Sequence, residues 1–211
     1  MSNQPISDEL IRAIEIDDYA EAEKLLDSGI SANSTSSSGS PALVNVRNVR
    51  MAELMLDRGA DLRTRSDAAH PGNLVHRATR GITYSIIASS REKEWEEQSN
   101  QFMDLLRFAT SRGLSINDRE APDTYGITPL MRWSSIQFSG DDYHPQCYHQ
   151  YEVAGVLFLE LGADLEMTTN TAPCKTALDM ARNRIAKSLL KSRGARSKPF
   201  FGSRKYRGEG G

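Results

Sequence analysis

At 211 residues with an apolar share of 38%, the chain has room for one or two domains but less hydrophobic material than a compact single-core fold usually carries, which fits a chain of stacked thin layers. The net charge of -2 hides a division: Arg182 to Gly211 holds ten Lys/Arg and one acidic residue, leaving 16 basic and 27 acidic residues before it. Such an acidic body argues against nucleic acid as its main ligand and is compatible with a basic partner, whose approach it would steer.

No apolar run reaches 18 residues, and the first amphipathic turns carry Asp8, Glu9 and Glu15, so the expectation is a cytoplasmic protein with no membrane span. Cys147 and Cys174 lack CxxC spacing and indicate neither a disulfide framework nor a zinc ribbon.

Taken in order, the same start and stop signals recur five times. Helix starts fall at Asp8, Ser40, Asn73, Thr128 and Thr176, and helix-ending glycines at Gly29, Gly59, Gly113, Gly162 and Gly194. The first segment starts at Asp8 and predicts a second helix from Tyr19 to Leu26, with Ala22, Leu25 and Leu26 on one face. A serine-rich connector, Ser34 to Ser40, leads to Ser40-Pro41-Ala42-Leu43 and a helix from Val49 to Leu56. The third segment opens at Asn73 and closes with a helix from Phe102 to Ala109. In the fourth, Thr128-Pro129-Leu130 gives a capping hydroxyl, a proline at N1 and an apolar inward residue, and Val153 to Leu161 forms the second helix. The fifth runs from Thr176 through Ile185–Leu190 and has the strongly polar outer face that a terminal cap needs. Residues 197–211 lack helical periodicity and read as a flexible basic tail.

These residues resemble the ankyrin repeat, whose pattern is Thr-Pro-Leu-His-x-Ala at the first helix and Leu-Leu-x-x-Gly-Ala-Asp-x-Asn after the second. The matches are Thr128-Pro129-Leu130, Val75-His76-Arg77-Ala78, Leu25-Leu26-Asp27-Ser28-Gly29, Leu56-Asp57-Arg58-Gly59-Ala60-Asp61 and Leu161-Gly162-Ala163-Asp164. The resemblance implies an all-α ankyrin-repeat solenoid over residues 6–196, with repeats at about 8–39, 40–72, 73–127, 128–175 and 176–196. It also implies recognition of another protein, with no cofactor, and a monomer on its own. By the same resemblance the hairpin tips near Asn33 to Ser38, Arg63 to Asp67, Asp118 to Asp123 and Thr168 to Thr171 are candidate contacts.

Departures from the pattern are as informative. Asp8 and Gly29 are 21 residues apart, as the family usually has, but Asn73 and Gly113 are 40 apart and Thr128 and Gly162 are 34 apart. The surplus lies between the two helices of neighbouring repeats, so Ile82 to Asn100 and Ser135 to Gln150 are expected as adjacent loops on one edge. Trp133 stands where the pattern has its close-packing alanine, which predicts that this helix is displaced or opens towards the insertion.

The two insertions supply the candidate partner-binding residues: Tyr84, Trp95, Glu96, Glu97, Trp133, Phe138, Asp141, Asp142, Tyr143, Tyr148 and Tyr151. Aromatics interleaved with acids suit a hot spot with a polar rim. Asp141, Asp142, His144, Cys147 and His149 contain metal-ligating types, but their spacing is not that of a zinc site, so no metal is expected. His76 takes the family's helix-start position, and no GxSxG, P-loop, GxGxxG or HExxH motif is present. The expectation is a non-catalytic stand-alone binder or inhibitor, for example a toxin-neutralising immunity protein. The alternatives are an adaptor attached through the basic tail, a metal- or cysteine-dependent enzyme hosted by the fourth insertion, and a nucleic-acid or membrane tether acting through the same basic tail, 197–211.

Overall fold

A computed structural model describes residues 4–66, 71–88, 95–120, 125–138 and 145–197. Its helices are α1 (Gln4–Glu15), α2 (Tyr19–Asp27), α3 (Val49–Asp57), α4 (Leu74–Ala88), α5 (Trp95–Ser111), α6 (Pro129–Ser134), α7 (Pro145–Glu160), α8 (Ala177–Met180) and α9 (Arg184–Ser192), with a 3-10 turn at Ala42–Asn45. Among the described residues, β pairing is limited to the isolated bridges Thr35–Pro41 and Ser66–Gly72. The chain is all-helical.

Helix starts are set by short polar side chains that accept from free backbone N–H groups. Asn48 accepts from Met51, Asn183 from Ala186 and Thr128 from Met131, while Thr176 and Asp179 form a reciprocal capping box. The stops are the five glycines named above, all at positive φ between 85° and 96°, where a side chain would be strained. Two starts differ from expectation. The first helix begins at Gln4, and Asp8 instead accepts from the Ser37 N–H at 2.8 Å, tying α1 to the serine-rich connector. The second segment forms a 3-10 turn in place of an α-helix. Its β-branched Val44 and Val46 and the cap of α3 at Asn48 leave no room for a longer element, and Asn45 turns back to donate to the Pro41 carbonyl at 2.8 Å.

Packing follows two rows. In one, α1 lies on the 3-10 turn, the turn on α4, α4 on α6 and α6 on α8; in the other, α3 lies on α5, α5 on α7 and α7 on α9. One contiguous apolar core fills the space between them, from Leu10 and Ile14 through Leu105 and Trp133 to Leu190.

A pair of hydrogen bonds recurs along one side. The Asn33 amide donates to the Gly59 carbonyl at 2.8 Å and accepts from the Asp61 N–H at 2.7 Å; Asn117 makes the same two bonds to Gly162 and Asp164, at 3.0 and 2.8 Å. Each ties the end of one helix pair to the end of the next. Arg63 and Glu166 hold the corresponding positions after Gly59 and Gly162, so this asparagine device links the first segment to the second and the third to the fourth.

The extra residues of the third and fourth segments form helix where loops were expected. α4 runs to Ala88, α5 begins at Trp95 and α7 at Pro145, so much of Ile82–Asn100 and the last turns before Gln150 are helical. Helix is the economical solution because these stretches keep an apolar stripe, Ile82, Ile86, Trp95, Phe102 and Tyr151, that packs inward.

Candidate partner-binding edge

Two mid-helix glycines let the enlarged segments pack. A Cβ on Gly81 would stand 2.2 Å from the Phe102 ring, and one on Gly155 would stand 2.3 Å from the Trp133 indole. Trp133 sits over Gly155 of α7, and its helix α6 packs on both α4 and α8. The indole is completely buried, stacked on Tyr151 with centroids 4.6 Å apart and tilted against Phe158 at 6.3 Å. Phe138 sets its edge against both Tyr148 and Tyr151, at 5.1 and 5.0 Å.

The expected adjacency of the two insertions holds at the helix starts. α7 packs on both α4 and α5, and the Gln150 amide donates to Glu96 Oε1 at 3.3 Å. Of the candidate contacts, Tyr84 (62% exposed), Glu96 and Glu97 present surface, and Phe138 and Tyr148 are half-buried. Trp95, Trp133 and Tyr151 are buried and form the foundation of this edge, offering no surface themselves. Asp141, Asp142 and Tyr143 lie outside the described residues. Ile87, 39% exposed and one turn beyond Tyr84, also belongs to this surface, as do Asn100 and Gln101 beside Glu97. Helical spacing from Tyr84 would have found Ile87, had the insertion been read as helix.

Beneath the start of α4 lies a buried charged cluster. Glu120 accepts two hydrogen bonds from Arg132, at 2.8 and 2.6 Å, and lies 3.7 Å from the Arg80 guanidinium. Burial lowers Arg80 to about 10, against the opposing pull of Glu120, so it stays charged at neutral pH. Each His76 ring nitrogen has an acceptor nearby, Nδ1 the Asn73 Oδ1 at 2.9 Å and Nε2 the Asp118 carbonyl at 3.1 Å, and Nδ1 also accepts from the Asn73 N–H at 3.4 Å when it carries no proton. Burial first, then the nearby Arg80 and Arg65, lowers it to about 3, so at neutral pH the uncharged ring donates to one of the two. This cluster also locks the neighbouring hairpins. Arg65 donates to the Arg119 carbonyl, and Arg119 donates to the carbonyls of Gly126 (2.9 Å) and Thr168 (2.5 Å). Three of the hairpin tips proposed as contacts are thus cross-linked through Arg65, Arg119 and Thr168; Asp67 and residues 121–123 lie outside the described residues. Tyr125, 66% exposed, lies beside the 168–171 tip, its carbonyl accepting from the Asn170 N–H at 2.9 Å.

Of the metal-ligating residue types in the fourth insertion, only Cys147 and His149 lie among the described residues. Cys147 is buried while His149 is exposed, as expected two residues apart on α7, where side chains point to opposite sides. Their being helical rules out one shared ion for that pair, and among the described residues no group of three His, Cys, Asp or Glu could hold a metal. Asp141, Asp142, His144 and His70 lie outside the described residues. No helix among the described residues is long and apolar enough to cross a membrane. No protein-family model matches the chain, and no curated protein matches it either.

Proposed function

We propose that the chain is a non-catalytic, ankyrin-type repeat protein that binds another protein through the edge built by α4, α5 and α7. The observation that carries this reading is the exposure of Tyr84, Ile87, Glu96 and Glu97 on α4 and α5, two helices that both pack on α7, which carries Tyr151 and Phe158 of the buried aromatic cluster. Amphipathic aromatic and acidic groups on rigid helices lose little entropy on binding, and that favours recognition. The repeat assignment is supported by the five left-handed glycines, by the duplicated Asn33 and Asn117 bridges and by the two rows of helices. The acidic body suits a basic partner, and a stand-alone inhibitor such as a toxin-neutralising immunity protein is the form of binder that fits it.

The test is a one-to-one complex isolated with the full chain, then challenged with Tyr84→Ala, Glu96→Lys and Glu97→Lys combined. Affinity should fall about a hundredfold, in line with loss of a hot spot and reversal of its rim, while the unfolding midpoint is kept. Undiminished affinity would move the interface elsewhere, with the exposed Tyr125 the next place to mutate. An inhibitor also silences its partner at equimolar dose, whereas an adaptor leaves the partner's activity intact.

A further inference from the structure

Among the described residues the large aliphatic side chains left exposed are Ile16, at 65%, and Ile87, at 39%. Ile16 sits on the corner between α1 and α2, where the backbone is held from several sides. Its N–H donates to the Arg12 carbonyl at 3.0 Å, and the Asp18 N–H donates to the Ala13 carbonyl at 2.8 Å. Asp17 takes a positive φ of 61° and accepts from the Asn48 amide at 2.7 Å, while Asp18 caps α2 by accepting from the Glu21 N–H at 3.1 Å. A side chain presented from so fixed a backbone loses little freedom when it is covered. Its flanks are acidic, since Glu15, Asp17 and Asp18 are all exposed.

At the other end of the helix rows, α7 and α9 border a shallow groove of about 330 Å³. Half-buried Ile185 and Leu189 supply its apolar part, and Glu152, Arg184, Ser188 and Ser192 supply its polar edges. Leu189 lies over Gly155 of α7, where a Cβ would stand 2.7 Å from its Cδ2, and the glycine has no side chain to fill the space. The surroundings are basic. Arg182, Arg184, Lys187, Lys191, Arg193 and Arg196, in and beside α9, are exposed, and none forms an ion pair with a described carboxylate. Glu152 is the one acid in the lining.

An acid-flanked isoleucine and an apolar groove set among cations complement each other in both shape and charge. They cannot meet within one chain, because α1 begins one row of helices and α9 ends the other. We infer that the α7–α9 groove receives the Ile16 corner of a second copy of this chain. A polyanion would use the cations of α9 but would give Ile185 and Leu189 nothing to cover. Two copies lying antiparallel make the contact twice and close as a two-fold dimer, whereas a contact made once would leave a free corner and a free groove. This dimer does not depend on the partner reading above.

Sedimentation equilibrium of the full chain from micromolar to millimolar concentration should show reversible association from 23.4 kDa to twice that mass. The dissociation constant should rise about tenfold between ~0.05 M and ~0.5 M salt, as screening weakens the charge pairing. Ile16→Ser and Ser188→Trp, both at exposed positions, should each weaken association by about tenfold or more, as loss of a central anchor does, with the unfolding midpoint unchanged. Mixed in equal amounts, these two variants should bind each other more tightly than either binds itself, since one intact isoleucine then meets one intact groove. Glu15→Lys and Arg184→Glu should each weaken the dimer, and the two combined in one chain should recover part of the loss. Ile87→Ser is the control and should change nothing.

A chain that stays at 23.4 kDa throughout would overturn the proposal. So would a loss on Ile87→Ser equal to that on Ile16→Ser, a mixture no tighter than its separate components, or a charge swap no better than its single variants. Binding of a single-stranded RNA oligonucleotide that is lost on Arg184→Glu but kept on Ser188→Trp, with no dimer formed, would assign the basic end to a polyanion instead.

Discussion

The Trp133 indole N–H donates to the Tyr151 carbonyl at 3.0 Å while the Tyr151 hydroxyl donates to the Trp133 carbonyl at 2.8 Å. Two large amphipathic rings are thus stacked in the core, and each satisfies its polar tip on the other's backbone. The Tyr151 oxygen also accepts from the Asn183 amide at 2.9 Å, and the same amide donates to the Ile136 carbonyl. α6, the middle of α7 and the cap of α9 are fixed to one another by this single knot. Burial pushes the Tyr151 phenol above its usual range, so it keeps its proton and its donor role.

The glycine opposite the indole can be tested directly. Gly155→Ala puts a Cβ 2.3 Å from a ring carbon of Trp133, and overpacking of this kind costs about 1–3 kcal/mol, more than the roughly 1 kcal/mol gained in helix propensity. Trp133→Ala alone should cost about 3–5 kcal/mol. In the double variant the alanine at 155 should cost much less, because the two indole carbons it strikes are gone and only the flexible end of Leu189, 2.7 Å away, still has to shift. Urea unfolding of all four chains gives the coupling, and simple additivity would refute the seating described here.

Glu120 is the counter-charge for Arg80 and Arg132, with its side chain 2% exposed and those of the arginines 8% and 36%. Arg132 has a route to solvent and Arg80 does not. Glu120→Gln should therefore destabilise by about 3 kcal/mol, mainly through an uncompensated Arg80. Adding Arg80→Met should recover part of that loss. A double variant less stable than Glu120→Gln would show that Arg80 is held by its bond to the Pro71 carbonyl and not by Glu120.

His76 gives the fold a pH dependence whose sign is fixed. Its pKa is about 3 in the folded chain and about 6.5 when unfolded, so between those values the unfolded chain binds the extra proton. Stability attributable to this residue is complete above pH 6.5 and falls as the pH drops, by about 2 kcal/mol at pH 5. Denaturant midpoints measured from pH 7.5 to 5 should fall less steeply in His76→Gln than in the wild type. Parallel slopes in the two proteins would assign the dependence to other groups.

The asparagine bridges are surface features of modest value. Asn117→Ala removes two hydrogen bonds and should cost about 1–2 kcal/mol, with faster hydrogen exchange at the Asp164 amide; Asn33→Ala should do the same at Asp61. The two sites share no partner, so their effects should add. Unchanged exchange at either amide would mean the bridge does not persist in solution.

Much of the helical frame was legible in the sequence because helix ends are local events. Thr128, Thr176 and Asn48 each satisfy N–H groups three residues away, and glycine at positive φ ends a helix whatever lies beyond it. The same local reasoning failed at Ala42, where β-branched neighbours and the next cap shortened a helix to a 3-10 turn. It failed too at the insertions, where a length surplus was read as loop although the apolar stripe continued through Ile82, Ile86 and Trp95.

The candidate edge divides along the same line. Its residue types and the juxtaposition of its two insertions followed from spacing alone, because surplus residues at equivalent places in neighbouring segments must emerge together. Which aromatics face inward did not follow. Trp133 and Tyr151 are buried because Gly155 leaves a slot for the indole and Asn183 reaches the phenol, whereas Tyr84 stays exposed on α4. The sequence by itself determined the helical class, the helix boundaries at capping residues and glycines, and the charge of the body. The tertiary structure alone decided which side chains became foundation and which became surface, since burial depends on what the neighbouring helix presents, and the neighbour of Trp133 is a glycine 22 residues away.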